Sequence, residues 1–149
     1  MIEPSELRKY SLFGGLMQEQ IDGVFPLMQH ESYEAGKDII TEGEKNGRVL
    51  FIASGSVAVV KNGLILTEFK KGDTVGEMEV LDMMPSAATV RALENVEVAT
   101  LTNVAFHSIY KQDAKTFAMI VMNLARDLSR RLRKMDDMVV EESPYHEWS

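Results

Sequence analysis

The 149-residue sequence contains no cysteine, which excludes a disulfide framework, an iron–sulfur cluster and a thiolate metal site. A cysteine-free chain fits a reducing compartment. Long apolar runs are also missing. The longest uninterrupted one has six residues, 117–122, far short of the ~20 that a membrane-spanning helix needs. The first residues hold no basic stretch followed by an apolar one, so no signal peptide is expected and the chain is read as cytoplasmic. Positive charge is scarce as well. A formal net charge of −7 argues against nucleic acid as a partner, because phosphate neutralisation needs clustered Lys and Arg. What is present, 45% apolar and 26% charged residues, belongs to one ordinary globular domain.

The hydrophobic period divides the chain into three. Over residues 3–28 it is helical and short, with Leu7, Tyr10, Ile21, Val24, Phe25 and Met28 at spacings of three and four. Gly14 and Gly15 interrupt it, and Pro26 limits its second half. Over residues 29–102, β-branched and aromatic stretches recur every eight to twelve residues between glycines, the mark of a sandwich or barrel. The stretch from Val57 to Phe69 is a hairpin, since Asn62-Gly63 suits a type I′ turn in which both central residues take positive φ.

Over residues 103–137 the period is helical again. Asn103 is placed to cap one helix, ending near Lys111, and Asp113 a longer one, ending near Asp136 or Asp137. On the long helix Phe117, Val121, Leu124, Leu128, Arg131, Met135 and Met138 alternate at spacings of four and three, and only Arg131 is not apolar. A seam this narrow suits a partner helix, so a homodimer through Phe117, Val121, Leu124, Leu128 and Met135 is expected. The other reading packs the stripe on the barrel. Residues 138–149 are expected to form an acidic, mobile tail.

The chemistry concentrates in residues 71–92. Gly76 permits close approach of backbone to a ligand, and the amides of Glu77 and Met78 would open a helical turn able to face an anion. A carboxylate beside such a seat suits sugar hydroxyls. The same residues also read as a plain turn and helix cap.

This segment resembles the phosphate-binding cassette of cyclic nucleotide-binding domains, the family of protein kinase regulatory subunits and the catabolite activator protein. The family pattern Gly-Glu-Leu-Ala-Leu, a loop, then Pro-Arg-Ala-Ala-Thr-Val is matched by Gly76-Glu77-Met78-Glu79-Val80 and Pro85-Ser86-Ala87-Ala88-Thr89-Val90. Gly36, Gly43, Gly55 and Gly72 stand where the family places turn glycines. The resemblance implies a mainly β fold, an eight-stranded jelly-roll barrel with short N-terminal helices and a long C-terminal helix. It implies that Gly76, Glu77 and Met78 face a cyclic phosphate, with Glu77 on the ribose 2′-hydroxyl. Ser86, Ala87 and Ala88 complete the cassette, and Val59, Leu66 and Thr67 line the base pocket.

Two departures qualify this. The family's phosphate-pairing arginine is here Ser86, a neutral hydroxyl in place of a bidentate cation. Hydrogen bonds to charged groups contribute about 1.5–3 kcal/mol each, so cyclic AMP, the ligand the resemblance implies, is expected to bind roughly ten- to more than hundred-fold more weakly. Arg91 lies an odd offset along the strand, on the opposite face. Ala87 lacks the hydroxyl that favours cyclic GMP in relatives. Secondly, transcription factors of the family continue into a helix-turn-helix, which the dozen residues after the long helix are too few to build. The basic residues Arg126, Arg130, Arg131, Arg133 and Lys134 therefore read as a solvated helix face.

An enzyme is not expected. The related cupin barrels hold metal with paired histidines and a glutamate, whereas His30, His107 and His146 are isolated. No nucleophile–base pair stands out. Glu77 and Glu79 are two apart, on different sides of a turn. The methionines, among them Met78, Met83, Met84 and Met119, are expected as core or seam filler. Tyr145 and Trp148 are candidates to cap a ligand's base. Two functions follow: a dimeric sensor of a cyclic nucleotide or similar anion, signalling through its last helix to a protein partner, or a degenerate domain used for dimerisation and docking.

Overall fold

The computed structural model describes residues 2–142. Its centre is β3, Arg48–Ser54, with Val49, Leu50, Phe51, Ile52 and Ala53 all buried. A strand buried on both faces reads as a continuous apolar run. Phe51 and Val49 point to one cluster, shared with the helices, and Leu50 and Ile52 to another, between two sheets. Around it lie β1 (Gln29–Tyr33), β2 (Asp38–Ile40), β4 (Ser56–Lys61), β5 (Leu64–Lys70), β6 (Thr74–Val75), β7 (Thr89–Ala92) and β8 (Val96–Thr102). The sheet orders are β1-β8-β3-β6 and β2-β7-β4-β5, all pairs antiparallel. The strands run from Gln29 to Thr102. Asn62 and Gly63 have φ of 52° and 74°, as a type I′ hairpin turn requires.

Two features of the expected fold are corrected. The eight strands form two four-stranded sheets that do not close into a barrel. Helical residues also outnumber strand residues in the described chain, so the fold is mixed rather than mainly β. The strands β2 and β6 have three and two residues, too little ladder to join the sheets.

Helices occupy both ends. The N-terminal part holds 3₁₀ turns at Pro4–Lys9, Ser11–Phe13 and Phe25–Leu27, and α1 at Gln18–Val24. After β8 come α3 (Asn103–Gln112) and α4 (Ala114–Glu142). Thr102, not Asn103, caps α3: its hydroxyl accepts the Ala105 amide at 3.1 Å. Asp113 caps α4 as expected, accepting the Lys115 amide at 3.1 Å and the Thr116 hydroxyl at 2.7 Å. The helix continues to Glu142, past the boundary at 137, because Met138, Val139 and Val140 keep it going without a breaker. Tyr145, His146 and Trp148 lie outside the described residues.

The apolar stripe of α4 is divided. Leu124 is buried in the chain's own core, and Phe117 packs edge-on against Phe106 and Tyr110, at 6.4 and 5.4 Å between centroids. Val121 and Leu128 are half-buried. Asn123 anchors this half by donating to the carbonyls of Leu12 and Gly14, at 3.1 and 2.9 Å. Only beyond Arg131 does the stripe stand free, with Met135 and Met138 exposed beside Leu132, Val139 and Val140. Among the described residues no helix is long and apolar enough to cross a membrane.

The candidate ligand-binding cassette

The segment that carries the motif begins on the edge strand β6, whose Thr74 and Val75 pair with Phe51 and Leu50 of β3. The chain then turns at Gly76, which caps α2, Glu77–Asp82, with φ 85° and ψ 1°. Only glycine fits here. A Cβ would lie 2.7 Å from Asn46 Nδ2 and 2.8 Å from the Arg48 carbonyl. After α2, Met83 adopts a left-handed conformation, φ 59°. The returning loop is held by Ser86, whose amide donates to the Glu44 carbonyl at 2.9 Å and whose carbonyl accepts the Gly43 amide at 2.8 Å. The cassette is thus tied to β3 on one side and to the β2–β3 turn on the other.

Glu77 points inward and is 2% exposed. One carboxylate oxygen pairs with Arg131 of α4, and Oε2 has no protein partner. The same guanidinium donates to the Thr74 carbonyl and lies 4.4 Å from the Phe69 ring centroid, a cation–π contact. Arg131 therefore joins α4 to β5, β6 and α2 at once. This is why a charge interrupts the apolar stripe. Two more buried oxygens at the cassette, Thr74 Oγ1 and Ser86 Oγ, also lack a partner.

Burial pushes the Glu77 carboxyl above the usual carboxylate range, and the Arg131 charge offsets this only in part, with Glu79 and Asp127 adding to the rise. The folded chain then holds a proton that the unfolded chain releases, so this group's stabilising contribution is complete at low pH and is lost as pH rises through its raised pKa. The expected result is that wild type loses more stability than Glu77→Gln as pH rises above the ordinary carboxylate range in urea unfolding. Parallel losses in the two proteins would contradict it.

A polar network not foreseen from the sequence supports the Gly76 turn. Arg48 donates to both oxygens of Glu31, at 3.0 and 2.9 Å, and to Tyr33 Oη at 3.1 Å. Its third arm meets Asn46 Oδ1 at 3.1 Å, while Asn46 Nδ2 donates to the carbonyls of Arg48 and Gly76, at 2.9 and 3.3 Å. Burial alone would raise Glu31, but hydrogen bonds from Arg48 and Tyr33 outweigh it and hold the carboxyl below its usual range. Charge pairing across strands has no periodic signature, so nothing in the sequence singled these residues out.

The other expected site residues are distributed unevenly. Val59 and Thr67 face each other across β4 and β5 and are half-buried. Leu66 is the extra residue at the bulge between those pairs and is 52% exposed, so it stands apart from them. Ala87 is exposed and Ala88 half-buried. Met78, Met83 and Met84 are at least half exposed, not core filler as expected, because α2 turns Glu77 and Val80 inward instead. Arg91 is occupied by Asp38, at 2.7 Å. Among the described residues no three His, Asp or Glu side chains lie together as a metal site. Two surface depressions, one beside Ser32, Tyr33 and Asn95 and one beside Ser11, Met119 and Arg126, do not include Gly76, Glu77 or Ser86.

The sequence is 38% identical over 96 residues to the cAMP-dependent protein kinase regulatory subunit of Debaryomyces hansenii, covering 64% of this chain and 21% of that protein. The chain thus spans about a fifth of that relative's length. A cyclic nucleotide-binding domain from Methylobacillus flagellatus superposes with a TM-score of 0.85 over 97% of this chain and 84% of its own, at 23% identity, a likeness of fold. The third is the regulatory subunit of a cAMP-independent protein kinase A from Trypanosoma brucei, with a TM-score of 0.70 and 28% identity over 81% of this chain and 44% of its own. That protein carries glutamate-to-alanine, threonine-to-arginine and valine-to-alanine substitutions, the second and third lying seven and eight positions after the first, and is bound to cAMP in its A site. The family profile of the cyclic nucleotide-binding domain matches residues 30–113. With that match extending over more than half its length, the chain belongs to the cyclic nucleotide-binding domain family.

Proposed function

We propose that this chain is a cytoplasmic regulatory module that binds a small ligand at Gly76–Ala88 and signals occupancy through α4. The observation that carries the reading is the contact between Arg131 and Glu77, which joins the terminal helix to the carboxylate expected to meet the ligand. A ligand hydroxyl that engages Glu77 changes the balance of that ion pair, and differential affinity of this kind is what shifts a conformational equilibrium. The ligand is a cyclic nucleotide or a chemical relative of one, seated with Val59 and Thr67 beside its base. The chain acts as a regulator rather than as an enzyme.

The cassette's departures bear on affinity. Glu79, Ser86 and Ala87 stand at the seven- and eight-residue spacing of the three substituted positions in the trypanosome subunit, and Ser86 replaces the family's arginine. Ser86→Arg is therefore expected to strengthen cyclic AMP binding roughly ten- to hundred-fold, through charge-assisted hydrogen bonds to the phosphate. Isothermal titration of both proteins with cyclic AMP and cyclic GMP measures it. No heat from either protein at millimolar nucleotide would count against a cyclic nucleotide.

The exposed residues Leu132, Met135 and Val139, spaced by three and four on α4, favour a second element in this reading, self-association of the helix beyond Arg131. Leu132→Asp is expected to lower the molar mass seen by light scattering from dimer to monomer without altering secondary structure. A wild type that is monomeric at micromolar concentration would remove this element and leave the ligand-binding one.

A further inference from the structure

We infer that the exposed arm of α4 pairs with the arm of a second copy in the antiparallel sense, which sets Glu142 of one copy against Arg131 of the other. This rests on the self-association proposed above and adds its direction. The four-three series through Leu128, Arg131, Met135 and Met138 reaches Glu142 at its next step of four. Residues 132–142 are all exposed, so the arm's share of the seam is Met135 and Met138 with a charge at either end, Arg131 and Glu142. Those two charges have opposite signs. In a parallel pair each seam position meets the same position of the other copy, so Arg131 would face Arg131 and Glu142 would face Glu142. An antiparallel pair joins the two kinds of seam position instead. Met135 then lies on Met138, and Arg131 on Glu142, twice over. Arg131 accepts this second partner without leaving Glu77, because its guanidinium presents five donors and 29% of the side chain is exposed.

The flanking charges agree. Residues 126–134 hold five basic side chains and one acidic, Asp127, whereas residues 136–142 hold four acidic ones and no basic one. Parallel arms set like block beside like block. Antiparallel arms set each block against its opposite, and complementary charge fixes direction and register. On the two flanks of the seam Lys134 of one copy meets Glu141 of the other, and Leu132 meets Val139. Among the described residues Lys134, Glu141 and Glu142 have no ion-pair partner within their own chain. The arrangement also keeps the two folded bodies at opposite ends of the pair, since each arm projects roughly 16 Å past Arg131.

A chain without cysteine accepts a single nitroxide label cleanly, and Ala125→Cys places it at an exposed position outside the seam. Pulsed electron paramagnetic resonance on the dimer of the whole chain is expected to find the two labels roughly 35 Å apart, against less than about 20 Å for parallel helices. The second measurement needs no label. Glu142→Lys sets like charge on Arg131 in the antiparallel pair, and is expected to raise the dimer dissociation constant by sedimentation roughly tenfold. In a parallel pair the same change exchanges one self-repulsion for another and leaves that constant where it was. The short label distance, or an unchanged constant for Glu142→Lys, would overturn the antiparallel sense and leave self-association standing. A wild type that light scattering finds monomeric at micromolar concentration removes self-association and this direction with it.

Discussion

Replacing Gly76 with alanine is expected to destabilise the fold by roughly 2–5 kcal/mol, and to abolish any ligand binding at the cassette. Two costs add. The residue sits at φ 85°, where an L side chain costs about 1–2 kcal/mol. The new Cβ also meets Asn46 Nδ2 at 2.7 Å and the Arg48 carbonyl at 2.8 Å. Neither neighbour yields easily. The carbonyl is backbone of the central strand, and the Asn46 amide is committed to two carbonyls. Gly63→Ala is the control, because its φ is 74° but nothing lies within 4 Å of the added Cβ. The difference between the two urea-unfolding free energies isolates the collision. Equal losses would show that the turn alone, and not the close approach to β3, requires glycine.

Removing the Arg131 side chain is the second large effect. Arg131→Ala leaves Glu77 buried and without its counter-charge, and breaking a buried pair from one side costs about 3–5 kcal/mol. Arg131 is itself 29% exposed, so the lower end of that range is expected. The loss reflects the stranded carboxylate more than the value of the pair, so Arg131→Met with Glu77→Gln is expected to recover most of it. A double-mutant cycle in urea, with hydrogen exchange along α4, separates the terms. Faster exchange should be confined to the part of α4 near Arg131, since Asn123 and Leu124 hold the earlier turns independently. Unchanged stability on removing Arg131 would mean that Glu77 is satisfied in solution by some other group.

The scaffold was largely legible in the residues and the site only in part, for a physical reason. Turn glycines and the Asn62-Gly63 hairpin are local: a backbone needing positive φ names its residue, and the strand boundaries follow. The inward position of Glu77 followed from the cassette motif. Contacts between distant parts of the chain were not legible. Arg131 was visible as a flaw in the α4 stripe, yet its partner lies 54 residues earlier in sequence. The Glu31–Arg48–Asn46 network joins two strands and a turn through long side chains, and no period encodes such reach. The α4 stripe misled in another way. Four-three spacing describes a helix face without saying what covers it, and the fold covers the first half with α3 and its own core.

Eleven residues of α4 lie beyond Arg131, all exposed through Glu142. At a rise of about 1.5 Å per residue they form a rigid arm of roughly 16 Å extending from its last anchor. A tilt of about 10° at that pivot, smaller than many hinge motions, would sweep the arm's tip through roughly 3 Å. In the regulatory reading proposed above, leverage of this kind would carry a small rearrangement around one carboxylate to the far end of the helix as a displacement of that size.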